Sequence, residues 1–156
     1  ADWTLIAETK NNPRLHIPVF GNGDVDSGPK ALEYKDKYGV DGIMIGRASI
    51  GYPWIFEEIK YFLEHGDEFT KPTVEERVAA ACEHFELSLK WKEERYAVME
   101  TRKHYTNYFR GLTHFKPYRS RLVTLDDPQE VLATLDEIES EYIAKYGNDQ
   151  NKLLVG

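Results

Sequence analysis

The stretch "GVDGIMIGRASIGYPWIFEEI", residues 39–59, decides how this chain is read. A short apolar run, Gly42 to Ile45, ends in Gly46 and Arg47, passes through small residues and Gly51, and enters a helix at Pro53 and Trp54. Such a run bounded by glycine predicts a buried strand, while Ile55, Phe56, Ile59, Phe62 and Leu63 keep helical spacing along one face. A strand that ends in glycine just before a helix brings backbone N–H groups close to whatever lies there.

Upstream the same pattern recurs. "IPVF", residues 17–20, is a compact apolar run between Pro13 and Gly21 and predicts another buried strand. It leads through "GNGDVDSG" into "SGPKALEYKDKYG", a helix with Ser27 near its start, Pro29 in its first turn and Gly39 past its end. "WTLIAETK", residues 3–10, predicts a short helix. Helix, strand, helix, strand, helix with near-continuous apolar strands is the signature of a parallel sheet covered by helices. Two parallel strands alone do not make a stable sheet, so this α/β part is expected to be incomplete.

Downstream the composition changes. "GDEFTKP" separates the α/β part from a helical one; the boundaries are 1–66, a linker at 67–72, a bundle at 73–146 and a tail at 147–156. Thr73 and Glu76 form a capping box at the head of a long helix whose stripe is Val78, Ala81, Cys82, Phe85 and Leu89. Further helices are predicted from about Arg95 to Arg110, over "PYRSRLV", and over "DDPQEVLATLDEIESEY" with Pro128 in its first turn. The fold class is therefore α/β plus all-α, with a small helical bundle following the sheet.

The 156 residues are 41% hydrophobic, enough for a core, and 13% aromatic. No apolar run reaches membrane-spanning length and no signal peptide is visible, so a soluble cytoplasmic protein without membrane contact is expected. The single Cys82 excludes an internal disulfide framework. On its apolar stripe it reads as a small buried hydrophobe. No Cys/His spacing suggests a metal, and none is expected.

Net charge is −7 but unevenly spread: residues 90–121 hold nine Lys/Arg against three acids, a net +6 that leaves −13 elsewhere. Arg102, Lys103 and Arg110 share a broad helical face, interleaved with Tyr105, Tyr108 and Phe109. Cations attract a phosphate backbone and aromatics pack in a core or stack on bases. A solvated basic helix with core aromatics explains the same pattern. Tyr105 and Phe109 are assigned to the core, and Lys116, Arg119 and Arg121 extend the positive surface.

Both strands end in glycine turns before helices. Two successive βα units of this kind are what the phosphate site of a TIM barrel is built from, in the loops after its seventh and eighth strands. Tight βα connections need glycine for geometry alone. Arg47 at the strand end adds a charge-assisted partner for an anion.

"IPVFGNGDV", then "GVDGIMIGRASIGYPWIFEEI", then "RKHYTNYFRG" together resemble the bacterial tRNA-dihydrouridine synthases, most closely their B-type branch. The likeness runs from about residue 2 to about residue 142. It implies the C-terminal part of an FMN-bearing TIM barrel, its last two strands with their helices, followed by a helical tRNA-binding domain. The activity implied is reduction of uridine to 5,6-dihydrouridine in tRNA, with NADPH reducing the FMN. Carried over, Asn22, Gly23 and Asp24 match the family's "NGD", and Gly46 and Arg47 its "GR"; with Ala48 they are expected to hold the FMN phosphate. Pro53, Trp54, Ile55 and Phe56 match "PWIF" and are assigned to packing. Arg102, Lys103, Arg110, Lys116 and Arg119 are the expected tRNA contacts, and His104 belongs to the motif without an assigned role.

The resemblance also implies a fragment. Six strands and the loop bearing the catalytic cysteine are expected to be absent, so the chain holds no catalytic residue and is expected to be inactive by itself. The exposed barrel strands are expected to cause self-association, strand exchange between copies, or disorder in residues 1–50. The alternatives are a stand-alone RNA-binding helical module without redox activity and, less well matched to the basic bundle, another phosphate-binding barrel fragment such as a different flavin oxidoreductase. Which uridine is modified depends on how the bundle orients the tRNA.

Overall fold

Helix α1, Thr4–Lys10, begins directly after Trp3, the residue that organises the N-terminal half of the chain. A computed structural model describes residues 1–147; the expected tail, apart from Gly147, lies outside them. The described chain forms two compact units, one closing at Lys71 and the next opening at Pro72.

In the first unit, strands β1, Phe20–Asn22, and β2, Gly42–Met44, pair in parallel with Phe20 opposite Gly42, Gly21 opposite Ile43 and Asn22 opposite Met44. Helix α2, Gly28–Tyr38, is the crossover between them, and a single 3₁₀ turn, Arg47–Ser49, precedes α3, Ile55–His65. The core is Trp3, Val25, Ala31, Val40, Ile55 and Ile59. Trp3 is 2% exposed, with its ring 4.6 Å from Tyr34 and 5.6 Å from Tyr38. Its indole occupies the space a side chain at position 21 would need, since a Cβ on Gly21 would stand 2.0 Å from Cζ3. Helices α2 and α3 meet as closely at Gly28, where a Cβ would come within 2.3 Å of the Phe62 Cβ.

The strands differ from the sequence reading, which put them at 17–20 and 42–45. The first begins at Phe20 rather than Ile17, because Asp41 holds Val19 from outside the ladder: its carboxylate accepts the Val19 N–H at 2.7 Å and its N–H donates to the Val19 carbonyl at 2.9 Å. Pro18 has no N–H to pair. Neither strand is buried throughout: Phe20 is 66% and Met44 55% exposed. Among the described residues each strand has one neighbour, so each leaves one edge unpaired.

The second unit contains α4, Val74–Trp91, α5, Glu94–Tyr108, α6, Lys116–Leu122, and α7, Pro128–Tyr146. The capping box forms as its sequence dictates: the Thr73 hydroxyl accepts the Glu76 N–H at 3.2 Å, and the Glu76 carboxylate accepts the Thr73 N–H at 2.7 Å. Such a cap contributes about 1 kcal/mol. Helix α4 packs on α5 and α7 over a core that includes Val78, Ala81, Phe85, Val98, Tyr105, Phe109, Leu122, Leu135 and Ile138. Tyr105 and Phe109 are thus core residues, each 1% exposed.

Candidate functional site

In a parallel pair both strands point their C-terminal ends to the same edge, which is where ligands of open α/β sheets sit. Here β1 runs out at Asn22 into Gly23 and Asp24, and β2 runs out through Ile45 into Gly46, Arg47 and Ala48. The structure brings all six sequence-predicted residues onto one open cleft, together with Ala1, Val25, Asp26 and Met44.

Two features shape the β1 side. Gly23 and Asp24 both have positive φ, 134° and 56°, so the chain turns sharply where it leaves the strand. The Trp3 indole N–H donates to the Gly23 carbonyl at 2.9 Å, which fixes that turn to the core. On the β2 side, the Ser49 N–H and hydroxyl both donate to the Gly46 carbonyl, at 3.0 and 2.8 Å, and close the 3₁₀ turn. The N–H groups of Arg47 and Ala48 open that turn and have no acceptor within it.

Charge in the cleft is balanced between its two walls. Arg47 donates to the Asp24 carboxylate, and its own side chain is 86% exposed. The Ala1 amine, first, and then Arg47 hold the Asp24 carboxyl below the usual carboxylate range. The donor set is one exposed guanidinium plus backbone amides at a glycine turn, which suits a phosphate monoester.

The second unit presents the basic helix. Lys103 is exposed on α5, with Met99 and Arg95 one and two turns before it and Thr106 after it on the same outward stripe, and Arg110 is exposed just past the helix end. Arg110 donates to the Asn107 side chain at 2.8 Å and has no acidic partner among the described residues. Lys116 and Arg119 are exposed on α6, three residues apart and so on one face. Arg102 stands apart from this stripe: its Nη2 donates to the Leu125 carbonyl at 2.8 Å and to Asp126 Oδ1 at 2.6 Å. Arg121 is likewise engaged, by Thr134 at 3.1 Å and by both Glu137 oxygens.

Three features of this unit escaped the sequence reading. Arg95 belongs to the outward stripe, and the 95, 99, 103, 106 spacing carried that signal. Arg77 is 4% exposed and donates to the Pro72 carbonyl at 3.1 Å and the Arg110 carbonyl at 3.0 Å, tying the start of α4 to the end of the basic segment. Nothing in its local sequence separates it from a surface arginine. His104 of the "RKH" motif packs edge-on to His84 at 4.7 Å, and His84 Nδ1 lies 3.2 Å from the Tyr108 hydroxyl. Burial first, then neighbouring charges, lowers both imidazole pKa values.

Cys82 is half-buried on α4, and burial, then Asp136, Glu86 and Glu139, push its thiol up to about 11. It is a protonated structural side chain. Among the described residues no helix is long and apolar enough to cross a membrane, and no group of three or more His, Cys, Asp or Glu is placed to hold a metal.

Residues 1–143 match the family model described as Dihydrouridine synthase (Dus). A probable tRNA-dihydrouridine synthase of Rickettsia conorii is 35% identical over 137 residues, covering 88% of this chain and 41% of that protein. A tRNA-dihydrouridine synthase B of Pseudomonas putida is 36% identical over 141 residues, covering 90% and 41%. A probable tRNA-dihydrouridine synthase 1 of Synechocystis is 34% identical over 137 residues, covering 88% and 38%. The chain spans about two fifths of the length of these relatives. The match spans both structural units, and the chain belongs to the dihydrouridine synthase family.

Proposed function

We propose that this chain supplies the flavin-phosphate site and the RNA-binding helices of an FMN-dependent tRNA-dihydrouridine synthase. The overall reaction is reduction of uridine to 5,6-dihydrouridine in tRNA, with NADPH as reductant, in the cytoplasm. The observation that carries it is the meeting of Asn22, Gly23, Asp24, Gly46, Arg47 and Ala48 on one cleft at the strand ends.

FMN, when bound, supplies the hydride chemistry. The chain's own part is placement. Arg47 and the opening amides of the 3₁₀ turn would hold the phosphate, and Trp3 would keep the opposing Gly23 turn in position. The first unit is proposed as the end of a TIM barrel, whose missing neighbours would cover Phe20 and Met44. Without them those residues are an exposed apolar surface through which copies of this chain would associate. Lys103, Arg110, Lys116 and Arg119 would meet tRNA phosphates, whereas Arg102 would act by holding the turn before α7. The target uridine must leave its stack to be reduced, so backbone contacts of this kind have to hold a distorted RNA. Cys82 is assigned a structural role on α4 rather than that of the reaction's proton donor.

The test is a titration of the intact protein with FMN and with riboflavin, which lacks only the phosphate. The proposal expects FMN to bind at least tenfold more tightly and Arg47→Ala to remove most of that difference. Equal binding of the two flavins would refute the phosphate site. A stand-alone RNA-binding module would bind tRNA and neither flavin.

A further inference from the structure

Trp91, the last residue of α4, is 78% exposed, the most exposed large apolar side chain found among the described residues. Leu87, one turn earlier on the same face, is 47% exposed. Across the short connection, Tyr96 and Met99 of α5 are 58% and 50% exposed. Lys90 Nζ stands 5.9 Å from the Trp91 ring centroid. Lys92 and Glu100 neutralise each other by pairing. Glu93 and Glu94 sit at the N-terminus of α5, where the helix dipole offsets part of their charge. Lys90, Arg95 and Lys103 are left without an acidic partner among the described residues.

An exposed aromatic beside uncompensated cations suits an unstacked base carried on a phosphate chain. We propose that Trp91 stacks on an unpaired tRNA nucleotide while Arg95 and Lys103 hold the adjoining backbone. The proposal rests on the RNA reading of α5 given above and extends that surface to the α4–α5 connection. Stacking there would restrict this end of the helical unit to looped or opened RNA. Duplex RNA offers it phosphates but no free base face.

The experiment measures binding of an unmodified tRNA transcript, and of a blunt RNA duplex, to the 156-residue chain as a function of salt. Trp91→Ala is expected to weaken tRNA binding about tenfold, about 1.4 kcal/mol, with duplex affinity and salt slope unchanged. Trp91→Phe is expected to recover most of the loss. Arg95→Gln is expected to flatten the salt slope by about one. The exposure of Trp91 leaves the fold intact, as circular dichroism would verify. If Trp91→Ala binds tRNA normally while Lys103→Glu binds weakly, the stacking proposal is overturned and the RNA reading of α5 survives. Equal losses on tRNA and duplex overturn stacking too, as does a variant that changes only self-association. A wild-type chain that binds no tRNA overturns both the proposal and the reading beneath it.

Discussion

Arg47 donates through Nη2 to Oδ1 of Asp24, so the turn after β2 is tied to the turn after β1 by a single ion pair across the cleft. In the proposed phosphate site, an arriving phosphate would take over the guanidinium from the carboxylate. Arg47→Gln should therefore weaken FMN binding about 10- to 100-fold, the range for a charge-assisted hydrogen bond. Asp24→Asn should tighten FMN several-fold and leave riboflavin unchanged, because Asn tolerates the positive φ and removes the competing charge. Flavin fluorescence titration checks both. An Asp24→Asn protein that bound FMN more weakly would mean that the carboxylate itself contacts the ligand.

Arg77 holds two carbonyls in a buried place, and one of them belongs to Arg110 beyond the end of α5. Arg77→Met keeps the bulk and leaves both oxygens unsatisfied, so it should cost about 2–4 kcal/mol in urea unfolding. A loss under 0.5 kcal/mol would show that water reaches those carbonyls.

The Tyr105 hydroxyl is buried with no partner among the described residues. Burial, then Cys82, pushes its phenol pKa well up. Tyr105→Phe should therefore raise stability by about 1 kcal/mol, relieving an unpaired polar group at constant shape. A tyrosine that stacked on RNA would instead lose tRNA affinity on this substitution.

The His84–His104 pair makes the helical unit acid-sensitive. Both pKa values are lowered from 6.5 in the folded state, burial being the main cause. The unfolded chain then binds more protons than the folded one as pH falls through 6.5 toward the folded values. Stability is full above that window and declines within it. Unfolding at about pH 7.5 and pH 5.5 should differ by several tenths of a kcal/mol, modest because both rings keep solvent contact. Substituting both histidines with glutamine should remove the difference; its persistence would place the sensitivity in other groups.

The helices were legible because their ends are written in local chemistry. Ser27, Pro29 and Gly39 bracket α2, Thr73 and Glu76 open α4, and Asp127 with Pro128 opens α7. The "GR" and "NGD" turns were legible for the same reason, since glycine marks where the backbone bends. What was not legible depends on partners far along the chain. The strand start at Phe20 is set by Asp41, and the exposure of Phe20 and Met44 by which elements pack over them. Arg102 looks identical to Lys103 in a periodicity count, yet Leu125 and Asp126 draw it off the outward stripe. Trp3 gave no hint that its ring would lie over Gly21 and brace the Gly23 turn.

The most direct test of the central claim is the dihydrouridine content of tRNA from cells in which the gene for this protein has been deleted, measured nucleotide by nucleotide by mass spectrometry. The account predicts that at least one position reverts to uridine and is restored by the intact gene but poorly by its Arg47→Gln form. Unchanged dihydrouridine at every position would contradict it.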